Sequence, residues 1–413
     1  MRNAAASLRL KLPVVSALVI VLTALGIGIS LRGDLHGAWN MIHIPSNTPF
    51  FSDTRGFTHA IDCVLHGQDP YTVSTFDPWH RLYNYPPAWL NARYLGITSR
   101  SSNLIGILLA VTAICAYLVL FNARTAISAL IVLLALTSRC VLLAVERGNT
   151  DQAVFFLLVL GFFLIDHQRP ELRTRLTTLL ITVLTVIKLY PIAAVTVFLD
   201  RRRGNLKAAF AGVSAFAALL LTAGYKLPLV LANTPRDPDT SFGTFPFFYS
   251  LTRHLLPSEA HVILENRSFA PIAALLLGTA SLLAGVALGS KLDRFLPRLR
   301  SNHARGAIAI ACLSIFCFAF VAGSSYDYRL IYLLGVLAYL VEDTNRGVSL
   351  RSVPAAILIL TLLWKPFWLS IFGELFDGAV FVMASAWLGN SLSRNQARLH
   401  IPHSKDHALA AQI

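Results

Sequence analysis

Ser52-Asp53-Thr54 opens a helical pattern inside a long polar stretch, and Asp53 is the first side chain in the sequence placed to act on a substrate. A carboxylate there has two readings. It takes a proton from an acceptor hydroxyl as a general base, or it caps the helix by accepting backbone N–H bonds; the two roles can coexist. A set of cations follows at wide intervals. Arg139 and the run Glu146-Arg147-Gly148-Asn149-Thr150-Asp151 lie where one apolar stretch gives way to the next, Lys188 sits inside another, and Tyr326-Asp327-Tyr328-Arg329 leads into a third. Ionisable groups at membrane depth are costly and face a partner or a cavity, and a guanidinium fork suits phosphate oxygens. Arg139, Arg147, Lys188 and Arg329 are therefore candidate phosphate holders, and Asn149, Asp151 and Asp327 candidate substrate contacts. The competing reading is internal pairing, Glu146 with Arg147 or Arg147 with Asp151. His66-Gly67-Gln68-Asp69-Pro70-Tyr71 and Tyr83-Asn84-Tyr85-Pro86-Pro87 join turn dipeptides to aromatic rings. Tyr85 can stack on a sugar or isoprenoid, or the rings can form an interfacial belt.

Other constellations carry less. Asp237-Pro238-Asp239 has the spacing of a D-x-D metal motif but stands among prolines and reads as a turn. His400, His403 and His407 fall in a polar tail. The five cysteines contain no C-x-x-C, so neither a disulfide framework nor a zinc site is indicated. No phosphate-loop, nucleophile-elbow or H-E-x-x-H motif occurs. No metal and no cofactor is expected.

The elements that must position these residues are helices in lipid. Of 413 residues, 55% are hydrophobic and only 14% charged, with a mean hydropathy of +0.61. A water-soluble globule carries about 25% charged residues. The fold class is thus an all-α polytopic membrane protein, a single membrane domain over residues 1–413. A crossing takes roughly 20 apolar residues. The first span is 13–31, a retained signal anchor, followed by an outer loop over 32–102. Further spans are predicted at 103–121, 126–144, 152–166, 208–230, 268–289, 305–322, 329–341, 352–372 and 375–391, with a tail at 392–413. In the loop, Phe57, Ile61, Val64 and Leu65 share one helical face, with Arg55, Thr58, His59 and Asp62 opposite. That pattern predicts an interfacial helix, apolar side down.

The stretch 176–199 is apolar, yet both flanks are basic and Lys188-Leu189-Tyr190-Pro191 breaks its middle. A re-entrant hairpin turning at 188–191 keeps both arginine clusters on the cytoplasmic side, as charge bias prefers; a kinked crossing is the alternative. With the hairpin, about ten spans leave both termini in the cytoplasm of a cell membrane. The segments read as cytoplasmic then carry the whole net charge of +14. Topology and anionic lipid account for that charge, and nucleic acid is not an expected partner. The polar segments with the candidate residues converge on the extracytoplasmic face.

The order of motifs, "GQDPY" (67–71), "YNYPP" (83–87), "ERGNTD" (146–151), "KLYP" (188–191) with "DRRR" (200–203), and "YDYR" (326–329), resembles glycosyltransferase family 87. That family belongs to the C-type superfamily and is typified by polyprenol-phosphate-mannose-dependent mannosyltransferases. The likeness runs over most of residues 13–340. It implies a C-type bundle and an inverting transferase, mannosyltransferase-like, whose partners are a polyprenyl-phosphate sugar, a lipid or glycan acceptor and membrane lipids. The family's catalytic aspartate in the first outer loop falls on Asp53. Residues 148–151 depart from the more usual Gly-Gln-x-Asn, so the resemblance names neither sugar nor acceptor. Three rivals remain. One is a surface-glycan polymerase or ligase with a pyrophosphate-linked donor. Another is a transporter of polyprenyl lipids or sugars, which also uses broken helices and intramembrane charge. The third is a membrane scaffold.

Overall fold

A computed structural model describes residues 2–199, 204–235, 241–258, 269–289, 303–322, 324–347, 349–365 and 370–399, together with 291, 297, 299 and 301. The α-helices among them are α1 (Arg2–Arg32), α2 (Leu35–Met41), α3 (Ser52–Leu65), α4 (Ser102–Leu120), α5 (Ala126–Leu136), α6 (Arg139–Arg147), α7 (Asp151–Asp166) and α8 (Pro170–Ile187). They continue as α9 (Gly204–Ala223), α10 (Leu227–Asn233), α11 (Thr244–Leu255), α12 (Phe269–Leu288), α13 (Ala304–Val321), α14 (Leu333–Asn345), α15 (Ser349–Leu363) and α16 (Ser370–Leu399). Tighter 3₁₀ turns occupy Pro87–Leu95, Tyr190–Phe198 and Asp327–Tyr332. Ser241–Phe242 pairs antiparallel with Ser325–Tyr326 in a two-residue ladder.

Local chemistry sets several boundaries. Asp34 caps α2 by accepting from the Gly37 amide at 2.6 Å. Thr125 and Ser128 form a capping box that starts α5. Pro170 begins α8 where its missing N–H costs nothing. Gly148 ends α6 in the left-handed region at φ +57°.

Small and large apolar residues alternate along α13, which lets neighbours approach closely, and 83% of its apolar window is buried. It packs against α7, α14, α16 and the 190–198 turn. At the other extreme, only 17% of the α1 window and 28% of α9 are buried. Leu206, Phe210, Val213 and Leu221 of α9 stand open. An apolar surface of that extent fits hydrocarbon rather than water.

By length and composition, four helices among the described residues can cross a membrane: Leu10–Arg32, Ser99–Leu120, Gly204–Ala223 and Ala304–Val321. α5 and α6 form a fifth as a pair bent by 42°. The molecule is thus a helical protein with four or five apolar spans of this kind. The expected span 126–144 is broken because Ser138 enters α6 in an extended conformation. The expected span 329–341 is divided between the 327–332 turn and α14, and that over 352–372 has its α-helix end at Leu363.

Two further expectations are modified. The chain does reverse at Lys188, but the first limb is the full 18-residue α8, starting at Pro170 rather than 176. Lys188 itself is extended, with φ −146° and ψ 135°. The C-terminal ends of α8 and α9 line one cavity, so the 190–198 turn between them runs the opposite way, packed on both. The helix expected to lie on lipid, α3, is covered by protein on both faces. Phe57 and Ile61 bury against Tyr71, Tyr83 and Tyr85, while Thr58 pairs with Ser102 at 2.7 Å. The loop's own tyrosines supply the apolar cover that lipid was expected to give.

Candidate active site

Two segments distant in sequence meet at the N-terminus of α3. Phe51, not Asp53, occupies the N-cap position, in a left-handed conformation with no side-chain cap. The cap reading of Asp53 therefore does not describe the structure. Its Oδ2 instead accepts from the Asn149 amide at 2.5 Å. Beside it, Thr54 Oγ1 donates to the Gly148 carbonyl at 2.6 Å, and Arg147 Nη1 donates to Ser52 Oγ at 3.1 Å. The end of α6 is thereby stitched to the start of α3.

Asp53 and Arg147 open onto a cleft of about 590 Å³, whose walls include Ser52, Arg81, Tyr85 and Tyr328. Arg147 also pairs with Glu146, Nε to Oε2 at 3.4 Å. The Glu146–Arg147 pairing anticipated from the sequence thus exists, and Arg147 faces the cleft as well. Glu146 is held from the loop by Ser46 Oγ at 2.9 Å and the Asn47 amide at 3.0 Å.

A smaller cavity of about 160 Å³ adjoins the cleft, the two sharing Asn84, Tyr85, Tyr326 and Tyr328. Lys188 and Arg329 line it, along with apolar residues of α9 and α10. Both cations lean on one carboxylate: Lys188 Nζ stands 3.3 Å from Asp151 Oδ1, and Arg329 Nε 3.5 Å from Oδ2. Asp151 is fully buried, so it anchors the cations from behind rather than touching a ligand. Its backbone amide donates to Asn149 Oδ1 at 2.7 Å, which ties the Asp53 partner to the same assembly. Rings complete the wall, with Lys188 Nζ 4.5 Å from the centre of Tyr85 and the Arg329 guanidinium 5.3 Å from that of Tyr190. Burial, with the Asp53 and Asp151 carboxylates nearby, pushes the Tyr85 phenol well above its usual range and keeps it neutral.

Two expected binding residues face elsewhere. Arg139 donates from Nη2 to the His43 carbonyl at 2.7 Å and lines neither cavity described here. Asp327 is buried in the electrostatic field of Lys365 and Arg139. Asp69 and Tyr71 of the 67–71 motif are framework. Asp69 pairs with Lys226 at 2.6 Å, and Asn233 donates to the Tyr71 and Tyr83 carbonyls at 2.9 and 3.1 Å, closing the loop onto α10.

Sequence reasoning passed over Arg81, which reaches the Ser52 carbonyl at 2.7 Å and Asp77 Oδ1 at 2.9 Å. Burial alone would lower its pKa, and the Asp77 carboxylate more than offsets that, so the guanidinium is held above its ordinary value. Opposite charges four residues apart in Asp77-Pro78-Trp79-His80-Arg81 were the available signal. Among the described residues no group of three His, Cys, Asp or Glu side chains could hold a metal ion. The sequences 200–203, 237–239 and 400–407 lie outside the described residues. No family model, curated protein or solved structure matches the chain.

Proposed function

We propose that the protein is a membrane-embedded inverting glycosyltransferase, moving a sugar from a polyprenyl-phosphate carrier to a lipid or glycan acceptor at the extracytoplasmic face of the cell membrane. The observation that carries the reading is Asp53, released from helix capping, fixed by Asn149 and facing a cleft whose neighbouring chamber holds two anchored cations. Oδ2 takes the Asn149 amide, which leaves Oδ1 for an acceptor hydroxyl. In the transfer, Asp53 takes the hydroxyl proton while the acceptor oxygen bonds to the anomeric carbon. The bond from that carbon to the phosphate oxygen breaks on the opposite side, and the electron pair leaves on polyprenyl phosphate. Arg147, Lys188 and Arg329 are the groups for the charge that develops there. Apolar residues of α9 and α10 beside the smaller chamber suit the carrier's hydrocarbon.

With Arg147 offset by its own partner Glu146, Lys188, Arg329 and Asp151 together leave one net positive charge. That matches the single charge of a phosphodiester better than the two of a pyrophosphate, which weighs against the polymerase or ligase reading. About ten spans, with both termini in the cytoplasm and α7, α12, α14, α15 and α16 counted as crossings beside the five above, complete the proposed topology.

The test compares envelope lipids and glycans by mass spectrometry in a deletion strain, the deletion with wild type restored, and the deletion with Asp53→Asn at equal membrane level. The expected result is one sugar unit lost in the first and third strains but not the second. Purified Asp53→Asn should transfer roughly 10²- to 10⁴-fold more slowly. Wild-type rates for that variant would remove Asp53 as the base. Carrier or sugar uptake by vesicles without sugar transfer would favour a transporter.

A further inference from the structure

The smaller chamber beside the cleft lies by the C-terminal end of α13, and another polar cavity lies by its N-terminal end, about 27 Å away for an 18-residue helix at 1.5 Å per residue. This cavity, of about 140 Å³, is enclosed by the end of α4, the start of α5, the first turn of α13 and the last turn of α14. Asn122, Arg124, Arg305, Glu342, Asn345 and Arg346 line it. Its frame is built. Asn345 Nδ2 donates to the Asn122 carbonyl at 2.6 Å, and Asn345 Oδ1 accepts from the Arg124 amide at 2.9 Å. Arg305 is fixed by Nε to the Leu120 carbonyl at 3.2 Å and stands 5.5 Å from the ring centre of Phe163.

Three arginines here face one glutamate. Arg305 Nη1 reaches Glu342 Oε2 at 3.3 Å, and Arg346 takes the other oxygen of the same carboxylate. Arg124 has no carboxylate partner among the described residues. Behind them Lys11, within electrostatic reach of Arg305, donates to the Leu118 and Phe121 carbonyls, the latter at 3.0 Å. Gathered like charges repel unless an anion offsets them, and guanidinium forks bind tetrahedral oxyanions through paired charge-assisted hydrogen bonds.

We propose that this cavity is a phosphate-group site, separate from the transfer cleft, which clamps the α4–α5 connection to α13 and α14 when filled. The phosphate belongs either to the headgroup of an anionic lipid in the adjacent leaflet or to a soluble phosphate compound. Neither source takes part in the transfer step.

The experiment uses the purified full-length protein in nanodiscs of phosphatidylcholine, with and without phosphatidylglycerol, and in phosphatidylcholine with inorganic phosphate against chloride at matched ionic strength. Thermal unfolding and native mass spectrometry read each condition, for wild type and for Arg124→Gln/Arg346→Gln. Phosphatidylglycerol is expected to raise the wild-type melting temperature and to be retained. The variant should lose about tenfold in that retention while melting as wild type does in phosphatidylcholine alone. Protection by inorganic phosphate, with none from phosphatidylglycerol, assigns the site to a soluble ligand. A wild type indifferent to both, or a variant that responds as wild type does, overturns the proposal. A variant that melts early without either ligand is replaced by Arg124→Gln alone, whose side chain has no ion pair to lose among the described residues.

Discussion

Asp53 and Asn149 meet because one residue between α6 and α7 has no side chain. A Cβ on Gly148 would stand 2.5 Å from Thr54 Oγ1 and 3.0 Å from Phe51, and its φ is +57°. Gly148→Ala should therefore cost about 1–2 kcal/mol from the left-handed backbone alone, and pushing α3 away lengthens the bond that holds Asp53. The expected outcome is a lowered melting temperature, with transfer reduced more than the membrane level of the protein. Equal loss of both would mean that Gly148 serves stability only. At this scale the sequence was half legible. Asp53, Arg147, Lys188 and Arg329 carry chemistry by type, but a carboxylate before a helix reads the same whether it caps or faces a cleft. The choice was made by Phe51 taking the cap position, which no spacing rule announces. Asp151 was likewise misread as a ligand contact, because the two cations it anchors arrive from Lys188 and Arg329, far along the chain.

Buried charge joins elements that apolar packing alone does not tie together. At the end of α15, Lys365 donates to Glu374 Oε1 at 2.9 Å and Asp377 Oδ2 at 2.6 Å, all three groups buried. The same ammonium acts on Asp327, at the head of the turn that presents Arg329. Removing one partner from a buried ion group strands the others, at about 3–5 kcal/mol. Lys365→Met should lower thermal stability by that order. The triple variant Lys365→Met/Glu374→Gln/Asp377→Asn should recover most of the loss, since no bare charge remains. If the triple melts with the single, the cluster acts by shape rather than charge. Continuous apolar runs made α4, α7 and α13 legible to within a few residues, because hydrophobic length alone defines them. The break at Ser138 was not, while the 3₁₀ turns at Pro87–Leu95 and Tyr190–Phe198 start at prolines that had marked a break in the sequence without giving its geometry. Likewise, the apolar face of α3 announced burial without saying that tyrosines, rather than lipid, would provide it.

For the molecule as a whole, the reversal at Lys188 fixes which ends of the helices share a side. Glu171, at the start of α8, and Asn205, at the start of α9, are both exposed and belong at the same end of the bundle. With the native cysteines replaced, Glu171→Cys and Asn205→Cys should be modified by an impermeant maleimide from one and the same side of sealed vesicles. Labelling from opposite sides would replace the reversal with a kinked crossing. The basic flanks had already pointed to this in the sequence, as charge bias acts on whole loops rather than on single contacts. The shared wall of Asn84, Tyr85, Tyr326 and Tyr328 has a different consequence. It divides the interior into two rooms that also share α10, with Ala232 and Asn233 on the side of the cleft and Leu227, Val230 and Leu231 on the side of the smaller chamber, and each room has space for its own guest. Under the proposed transferase activity, both reactants would be aboard before either product departs. Double-reciprocal plots at several fixed acceptor levels should accordingly converge, and a parallel family of lines would instead require the sugar to pass through a covalent stopover on the protein.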